Sequence, residues 1–526
     1  MTIDTEPALS ASFTEALEKF RAAIGAEHVA TDLPTRQEFA DPYSPLEWTD
    51  YVPPAVLQPA STEEVQAIVR IANEHGVELW VNSQGRNNGY GGSAPRNPGA
   101  IVVNLRRMNR ILEVNEEFSY VVVEPGVSFN ELYDYLQKHG HRLWADCPDI
   151  GWGSVIGNAL EHGFGYTVNG DRANSVCGMQ VVLPDGELLR TGMGAMTDNP
   201  SWHLSKRGFG PMVDSLFMQS NYGIVTQAGI WCMPQPETYL TGWVTIEDDE
   251  HLPALLDAVR PLMIDRTIPN YPSVFTASGA LAVVGKRRDF YDGEGPIPFE
   301  VSKAIVAQIP NLGMWNMRFA LYGRENTVDA QFENIKEALS VVPGITVTGT
   351  KMRGDALDVS ALDQSGKVQA GIPDMEMLNT SDWVGGAKGG HIGFSTVLPL
   401  TGRDGRRIID LVRPASEEAG FDYIGGFLLR ERSMMHVTLM VYDTADEPAA
   451  ARARDLCGDL VTTTAKLGYG EYRCHPSNMD TVAGTFDYND HAMLRFYERL
   501  KDAVDPNGIL AAGKQGIWPQ RLRQTR

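Results

Sequence analysis

The chain has 526 residues and a mass of 57.8 kDa, too long for one small module at roughly 100–200 residues per domain, so two or three domains are expected. Its 43% hydrophobic, 21% charged and 9% aromatic residues belong to a folded globular protein and exclude a disordered or fibrous one. The 45 basic and 67 acidic residues leave a net charge of −22, a field that repels a phosphate backbone, and with no basic patch to relieve it nucleic acid is excluded as a partner.

The opening segment MTIDTEPALSASFTEALEKF lacks a basic start and an apolar run, so no secretory signal is expected. No run of about 18 apolar residues occurs, which argues against a membrane span. Cys147, Cys177, Cys232, Cys457 and Cys474 are odd in number and scattered, a pattern of neither a disulfide framework nor a zinc ribbon. A cytoplasmic location is the expectation, and the C-terminal RLRQTR matches no retention or peroxisomal signal.

In chain order, Ser61-Thr62-Glu63-Glu64 reads as a capping box, and Val65, Ile68, Val69 and Ala72 then recur at helical spacing up to His75-Gly76. A short strand at 77–81 follows, then a glycine-rich loop over Ser83–Gly92. Strands are predicted at 101–105, 120–123 and 179–183, the last turning through Pro184-Asp185-Gly186 into 187–190. A second glycine-rich stretch runs from Pro148 to Asp171, and another strand is predicted at 223–230. After Pro236 the pattern becomes alternating amphipathic helices and strands, while the last fifty or so residues resemble the first half again. The expected organisation is a first domain over residues 1–236 and 469–526, interrupted by an inserted domain at 237–468.

Several motifs could carry chemistry. GRNNGYGG (85–92) is neither a nucleoside-triphosphate loop nor a GxGxxG fingerprint; it is either a plain turn or a nest of N–H groups for a pyrophosphate, with Arg86 adding a cation. His391 in GGAKGGHIGFS is either a turn histidine or a cofactor attachment point, and no second ligand stands at metal-binding spacing, so no metal is expected. Tyr472-Arg473 could bind an oxyanion through an O–H and a forked cation, or could lie on an ordinary strand edge. Asp149 could do acid/base work or cap a turn. Cys147 has no histidine nearby in sequence, so a cysteine nucleophile is not expected, and no G-x-S-x-G elbow supports a hydrolase.

Taken together, NSQGRNNGYGGSAPR (82–96), DCPDIGWGSVIGN (146–158), HGFGYT (162–167), QSNYGIVT (219–226), GGHIGFS (389–395), GYGEYR (468–473) and DPNGILAAGKQGIWPQR (505–521) resemble the vanillyl-alcohol oxidase and para-cresol methylhydroxylase family of flavoproteins, nearest the bacterial eugenol and 4-alkylphenol oxidases. The resemblance runs in order over nearly the whole chain from about residue 50. It implies an α+β, two-domain fold: a discontinuous FAD-binding domain and an inserted substrate domain on a large antiparallel sheet.

By the same resemblance, FAD lies against Ser83, Gln84, Gly85, Arg86, Asn87, Asn88 and Gly89, with Pro148, Gly153, Ser154, Asn158, Gly165, Gly223, Val225 and Lys514 completing its surroundings. His391 carries an 8α-histidyl bond. Tyr90, Tyr472 and Arg473 hold a phenolate, Asp149 assists oxidation and activates water on a para-quinone methide, and Tyr166 stands at the pocket. The implied reaction takes a benzylic hydride from a 4-alkylphenol, 4-hydroxybenzylic alcohol or allylphenol to flavin N5 and returns electrons to dioxygen; the alternative passes them to a cytochrome. Homodimers or larger homo-oligomers are implied. Three positions depart from the family pattern: Gly426 stands where a larger polar residue is usual, and Val168 and Arg172 alter the flavin-side loop. No second histidine for flavin attachment is evident in the region through Tyr51.

Overall fold

The structure, a computed structural model, describes residues 11–43 and 51–523. The leader reading at residues 1–10, the last three residues of the RLRQTR reading and part of the region searched for a second histidine lie outside the described residues.

The helix Thr62–His75 forms where its apolar spacing places it, burying Val65, Ile68, Val69 and Ala72. Ser61 Oγ accepts the Glu64 amide at 3.2 Å, and Gly76 ends the helix at φ 66°. The expected capping box is only half formed. The Glu64 carboxylate takes the Ala60 amide at 2.7 Å instead of the Ser61 amide. A complete box stands at Ser128 and Glu131, opening the helix Phe129–Lys138.

That first helix covers a four-stranded sheet whose strands Val56–Leu57, Ile101–Asn104 and Leu79–Asn82 run parallel. The C-terminal segment returns to it: the Leu79 amide donates to the Ile509 carbonyl at 2.7 Å and the Ala511 amide to Leu79 at 2.8 Å. A second, antiparallel sheet runs Ile111–Asn115, Tyr120–Val123, Ile224–Trp231, Val176–Val182, Leu188–Arg190. Its last hairpin turns at Gly186, φ 85°, as the Pro-Asp-Gly signal requires.

The third layer is an eight-stranded antiparallel sheet in the order Ile345–Arg353, Thr238–Ile246, Trp315–Gly323, Ser273–Thr276, Ile424–Leu429, Ser433–Asp443, Gly389–Pro399, Gly470–Glu471. Because side chains alternate across a pleated strand, its two faces differ completely. One face sends Leu240, Val244, Val274, Met317, Phe319, Phe394, Phe427 and Met440 into the core against the helices Leu252–Ile264, Glu325–Leu339, Gly402–Glu418 and Glu447–Ala465. The intervening residues Trp243, Phe275, Arg318, His391, Gly393, Ser395, Gly426, Val437 and Leu439 turn to the opposite face. Register aligns Ser395, Val437, Gly426 and Phe275 in one row across four strands. The functional face is therefore set by strand parity.

Candidate functional site

Three groups of residues meet where the eight-stranded sheet faces the glycine-rich loops. The first is a cleft. It is lined by Ser83, Gln84, Gly85, Arg86 and Asn87, by Gly153, Ser154 and Asn158, by Gly223 and Val225, and by Lys514, with Tyr90 and Arg473 at one end. The loop is drawn tight: a β-carbon on Gly85 would lie 1.9 Å from Ser93 Oγ, and one on Gly157 would lie 2.2 Å from Ser83 Oγ. Gly85 (φ 66°) and Gly89 (φ 75°) hold backbone that other residues rarely adopt.

Some of the cleft's polar groups are already engaged. Ser154 Oγ donates to the Pro125 carbonyl and caps Gly157, Lys514 is ion-paired with Glu161, and Arg86 lies 4.8 Å over Trp152. Others are not. Asn158 Oδ1, Asn221 Oδ1 and Arg473 Nε are buried without a partner, and all three residues line this cleft. Buried polar atoms left unpaired are costly, so the cleft fits a large polar ligand with donors and acceptors along its length.

At the rim stands His391. Its ring is backed by Tyr43, with centroids 5.0 Å apart, and Nδ1 is 3.1 Å from Ser381 Oγ, which also meets the Tyr43 hydroxyl at 3.2 Å. A β-carbon on Gly89 would lie 2.6 Å from Nε2, so that edge of the ring faces the 87–90 loop, with Asn88 beside it. Burial pushes the imidazole pKa down to about 4, with Asp41 opposing, so the ring is neutral at pH 7 with one nitrogen tied and the other directed at the loop.

The second group is Tyr90, Tyr472 and Arg473. The Arg473 guanidinium stacks 4.3 Å from the Tyr90 ring and donates to Asn87 Oδ1. Tyr90 Oη is 2.9 Å from Ser395 Oγ. The Tyr472 backbone is held on both sides, its amide by the Ser395 carbonyl at 3.2 Å and its carbonyl by Gln219 at 2.8 Å. Burial raises the pKa of both phenols, and Arg473 pulls each partly back. Behind them Glu471 Oε1 accepts the Ser395 amide at 2.6 Å while Oε2 has no partner, and burial drives this carboxyl well above its usual pKa.

The third group surrounds Asp149. Arg318 and Gln364 donate to Oδ1 at 2.6 and 2.8 Å, and the Tyr166 hydroxyl donates to Oδ2. Arg318 is itself pinned by Ser273 Oγ at 2.8 Å and Gln364 Oε1 at 2.9 Å, and stacks 3.8 Å from the Tyr166 ring. Burial works against its charge, but Asp149 raises its pKa on balance. The loop bearing Pro148 and Asp149 is braced by Asp146, which accepts the Tyr166 and Thr167 amides and pairs with Arg172 at 2.9 Å. Gly165 admits no side chain, since a β-carbon there would lie 1.7 Å from Asp146 Oδ2.

Asp149, Tyr166 and Gly426 line a second cavity. A β-carbon on Gly426 would lie 2.3 Å from the Val274 carbonyl oxygen, so glycine there sets the approach of two strands as well as the cavity wall. Leu439 joins the two polar groups, because it lines this cavity and, with the Tyr90 hydroxyl, packs over Gly393. Cys147 takes no part: its thiol lies 3.7 Å from the Val368 carbonyl, and burial drives its pKa well up.

Of the residues singled out from the sequence, Ser83, Gln84, Gly85, Arg86, Asn87, Gly153, Ser154, Asn158, Gly223, Val225, Lys514, Tyr90 and Arg473 line the cleft, Asp149, Tyr166 and Gly426 line the second cavity, and Asn88, Gly89, Pro148, Gly165, His391 and Tyr472 lie outside both linings. Sequence reasoning missed Arg318, Gln364, Ser395, Ser381, Tyr43 and Glu161. Arg318 left one signal, a charge inside the apolar strand Trp315–Gly323.

Comparison with known proteins agrees with this geometry. A FAD binding domain model matches residues 53–192, and a model of the C-terminal domain of FAD linked oxidases matches residues 409–515. The protein is thus a flavoprotein with an FAD-binding domain. It is 32% identical over 509 residues to the 4-cresol dehydrogenase [hydroxylating] flavoprotein subunit of Pseudomonas putida, with 96% of each chain covered. Among solved structures it resembles 4-ethylphenol oxidase of Gulosibacter chungangensis in complex with isoeugenol (TM-score 0.93, 37% identity, 99% of this chain and 100% of that one). It also resembles p-cresol methylhydroxylase with substrate bound (TM-score 0.92, 30% identity, 97% and 98%). The chain belongs to the vanillyl-alcohol oxidase and para-cresol methylhydroxylase family, with that family's two-domain α+β fold and FAD as its cofactor.

Proposed function

We propose that this protein is an oxidase of 4-alkylphenols, 4-hydroxybenzylic alcohols and eugenol-like allylphenols, working on the carbon attached to the ring. The observation that carries the proposal is the pairing of an arginine–tyrosine cluster with an Asp149 cluster on one face of the eight-stranded sheet, joined through Leu439. Resemblance to proteins acting on 4-ethylphenol and p-cresol supports the substrate class.

In this reading Arg473, with its unpartnered Nε, and the Tyr90 and Tyr472 hydroxyls receive the substrate's oxygen as a phenolate. A phenol of pKa about 10 costs about 1.36 kcal/mol for each unit by which it must be lowered, and a fixed cation with two O–H donors is suited to that task. The negative charge feeds through the ring and turns the benzylic C–H into a hydride donor. Bound FAD supplies the hydride acceptor and the route to dioxygen, which leaves as hydrogen peroxide. Asp149 then acts on the oxidised substrate, taking a proton from water that adds to the benzylic carbon, or from the side chain to leave an alkene or aldehyde. Arg318, Gln364 and Tyr166 hold its two oxygens in position for this.

His391 is the proposed attachment point for the cofactor's 8α carbon. Ser381 meets Nδ1, so Nε2, the nitrogen that faces the 87–90 loop beside the Asn88 backbone, is the one proposed to form the bond. The proposed domains remain 1–236 with 469–526 for the cofactor and 237–468 for the substrate; the strand Gly470–Glu471, which joins the large sheet, falls just beyond that second boundary. A cytoplasmic homodimer or larger homo-oligomer completes the reading. The second reading, a dehydrogenase that passes electrons to a cytochrome, draws on the likeness to 4-cresol dehydrogenase.

The test is chemical. Acid-precipitated protein should stay yellow, His391→Ala should release the flavin, and 4-ethylphenol should yield peroxide. Colourless precipitate removes the covalent bond, and turnover only with an artificial acceptor favours the cytochrome route.

A further inference from the structure

We propose that Glu471 is a positioning residue that must keep its proton for the Tyr90, Tyr472 and Arg473 cluster to hold an oxyanion, so that phenolate binding and this proton are linked. This rests on the phenolate reading above and adds to it a group that the substrate never touches.

Glu471 has an unusual place for a carboxyl group. Its strand, Gly470–Glu471, closes one edge of the eight-stranded sheet, and the register sets Glu471 opposite Thr396. Paired residues share a face, so the side chain lies on the covered side of the sheet, out of phase with Ser395, and it lines neither the cleft nor the second cavity. It is 5% exposed. Oε1 accepts the Ser395 amide at 2.6 Å, and Oε2 has no partner. No cation of the described residues pairs with it; Arg473, the nearest in sequence, donates to Asn87 instead. A buried carboxylate without a cation or a full set of donors is strongly disfavoured against its neutral form.

Ser395 joins this carboxyl to the cluster. Its amide donates to Glu471, its carbonyl accepts the Tyr472 amide, and its hydroxyl meets Tyr90 Oη at 2.9 Å. Beyond burial, which is the main cause, the charge of Arg473 lowers the pKa of each phenol and that of Glu471 raises it. A phenolate between those two hydroxyls stands in the same opposed fields. With Glu471 neutral, the pull of Arg473 is unopposed from this side; with Glu471 ionised, part of it is cancelled. The other groups facing Glu471 stay out of the exchange. Burial raises the thiols of Cys474 and of Cys457, on the helix Glu447–Ala465, and Asp480, on the helix Met479–Thr485, is paired with Arg96.

The experiment is calorimetric titration of the holoprotein with pentafluorophenol, which has no benzylic hydrogen and is a phenolate throughout pH 7–10. Each unit by which the bound phenolate raises the Glu471 pKa costs about tenfold in affinity between the neutral and ionised forms. In wild-type protein Kd should therefore weaken by about tenfold or more as pH rises, and buffers of different ionisation heat should show protons taken up with the phenolate over that rise. Glu471→Gln should hold Kd within about twofold across the range and take up no proton. Glu471→Met, which also lacks the charge, has the same expectation should the first variant not fold. A wild-type Kd that is flat with pH, or a rise that survives both variants, overturns the inference while the phenolate reading stands. No binding at any pH, or binding unaffected by Arg473→Met, overturns the phenolate reading, and the inference with it.

Discussion

The two polar clusters lie along one sheet face yet are built on opposite terms. Asp149 and Arg318 are fully partnered: two donors hold one carboxylate oxygen, a third holds the other, and the arginine opposite is bonded through all three nitrogens. Around Arg473 the account is left open, with Arg473 Nε and Glu471 Oε2 both buried and unpartnered. A closed network gives rigidity and an open one gives affinity, because an unmet buried donor is relieved only by the group that completes it. The first cluster is finished in the free protein. The second awaits an oxyanion.

The largest effect should come from opening the closed cluster. Arg318→Ala leaves Asp149 beside a void without its main partner, and breaking such a buried pair costs about 3–5 kcal/mol; thermal unfolding should show a marked fall in Tm along with lost activity. Arg473→Met should do the reverse, lowering kcat/KM for 4-alkylphenols by about 10²–10³-fold, as for loss of one oxyanion donor, while Tm stays nearly unchanged. Equal loss of stability in both variants would erase the distinction.

Tyr90→Phe removes one donor and its bond to Ser395. It should cost about tenfold in kcat/KM and about 1 kcal/mol in stability, read from kinetics and denaturant melts.

A pH-dependent effect lies behind the open cluster. The folded-state pKa of Glu471 is raised by burial, so its contribution is fully present below the unfolded value of about 4.3 and is lost as pH rises through the folded one. Glu471→Gln should therefore gain stability over wild type as pH rises from 5 to 8, and the two proteins should converge in acid. A gap that is constant with pH would contradict this.

Much of the open cluster was legible in the sequence, because Tyr90 sits in a glycine-rich loop and Tyr472-Arg473 in a short motif whose order along the chain resembles one family. The closed cluster was legible only at Asp149 and Tyr166. Arg318 and Gln364 reach Asp149 across 169 and 215 positions of sequence, and that meeting depends on strand register, which no local pattern encodes. Ser381 and Tyr43 escaped for the same reason: they support His391 from a short helical turn and an N-terminal segment with no pattern of their own. The helix at 62–75 was readable from periodicity and its caps, yet its Glu64 bonds one residue earlier than a capping box requires, since the Ala60 amide offered an equal donor. Local signals locate elements and loops, and long-range pairing decides which side chains meet.

The most direct test of the account is the state in which a phenol binds. 4-Nitrophenol has no benzylic hydrogen to lose, and its phenolate is yellow. Titrated into the holoprotein about one pH unit below its pKa in water, it should bind with the phenolate band in the difference spectrum, the work of lowering its pKa being about 1.36 kcal/mol per unit. Arg473→Met should abolish that band. Binding in the neutral form, or a phenolate band that survives Arg473→Met, would contradict the assignment of this cluster as the oxyanion site.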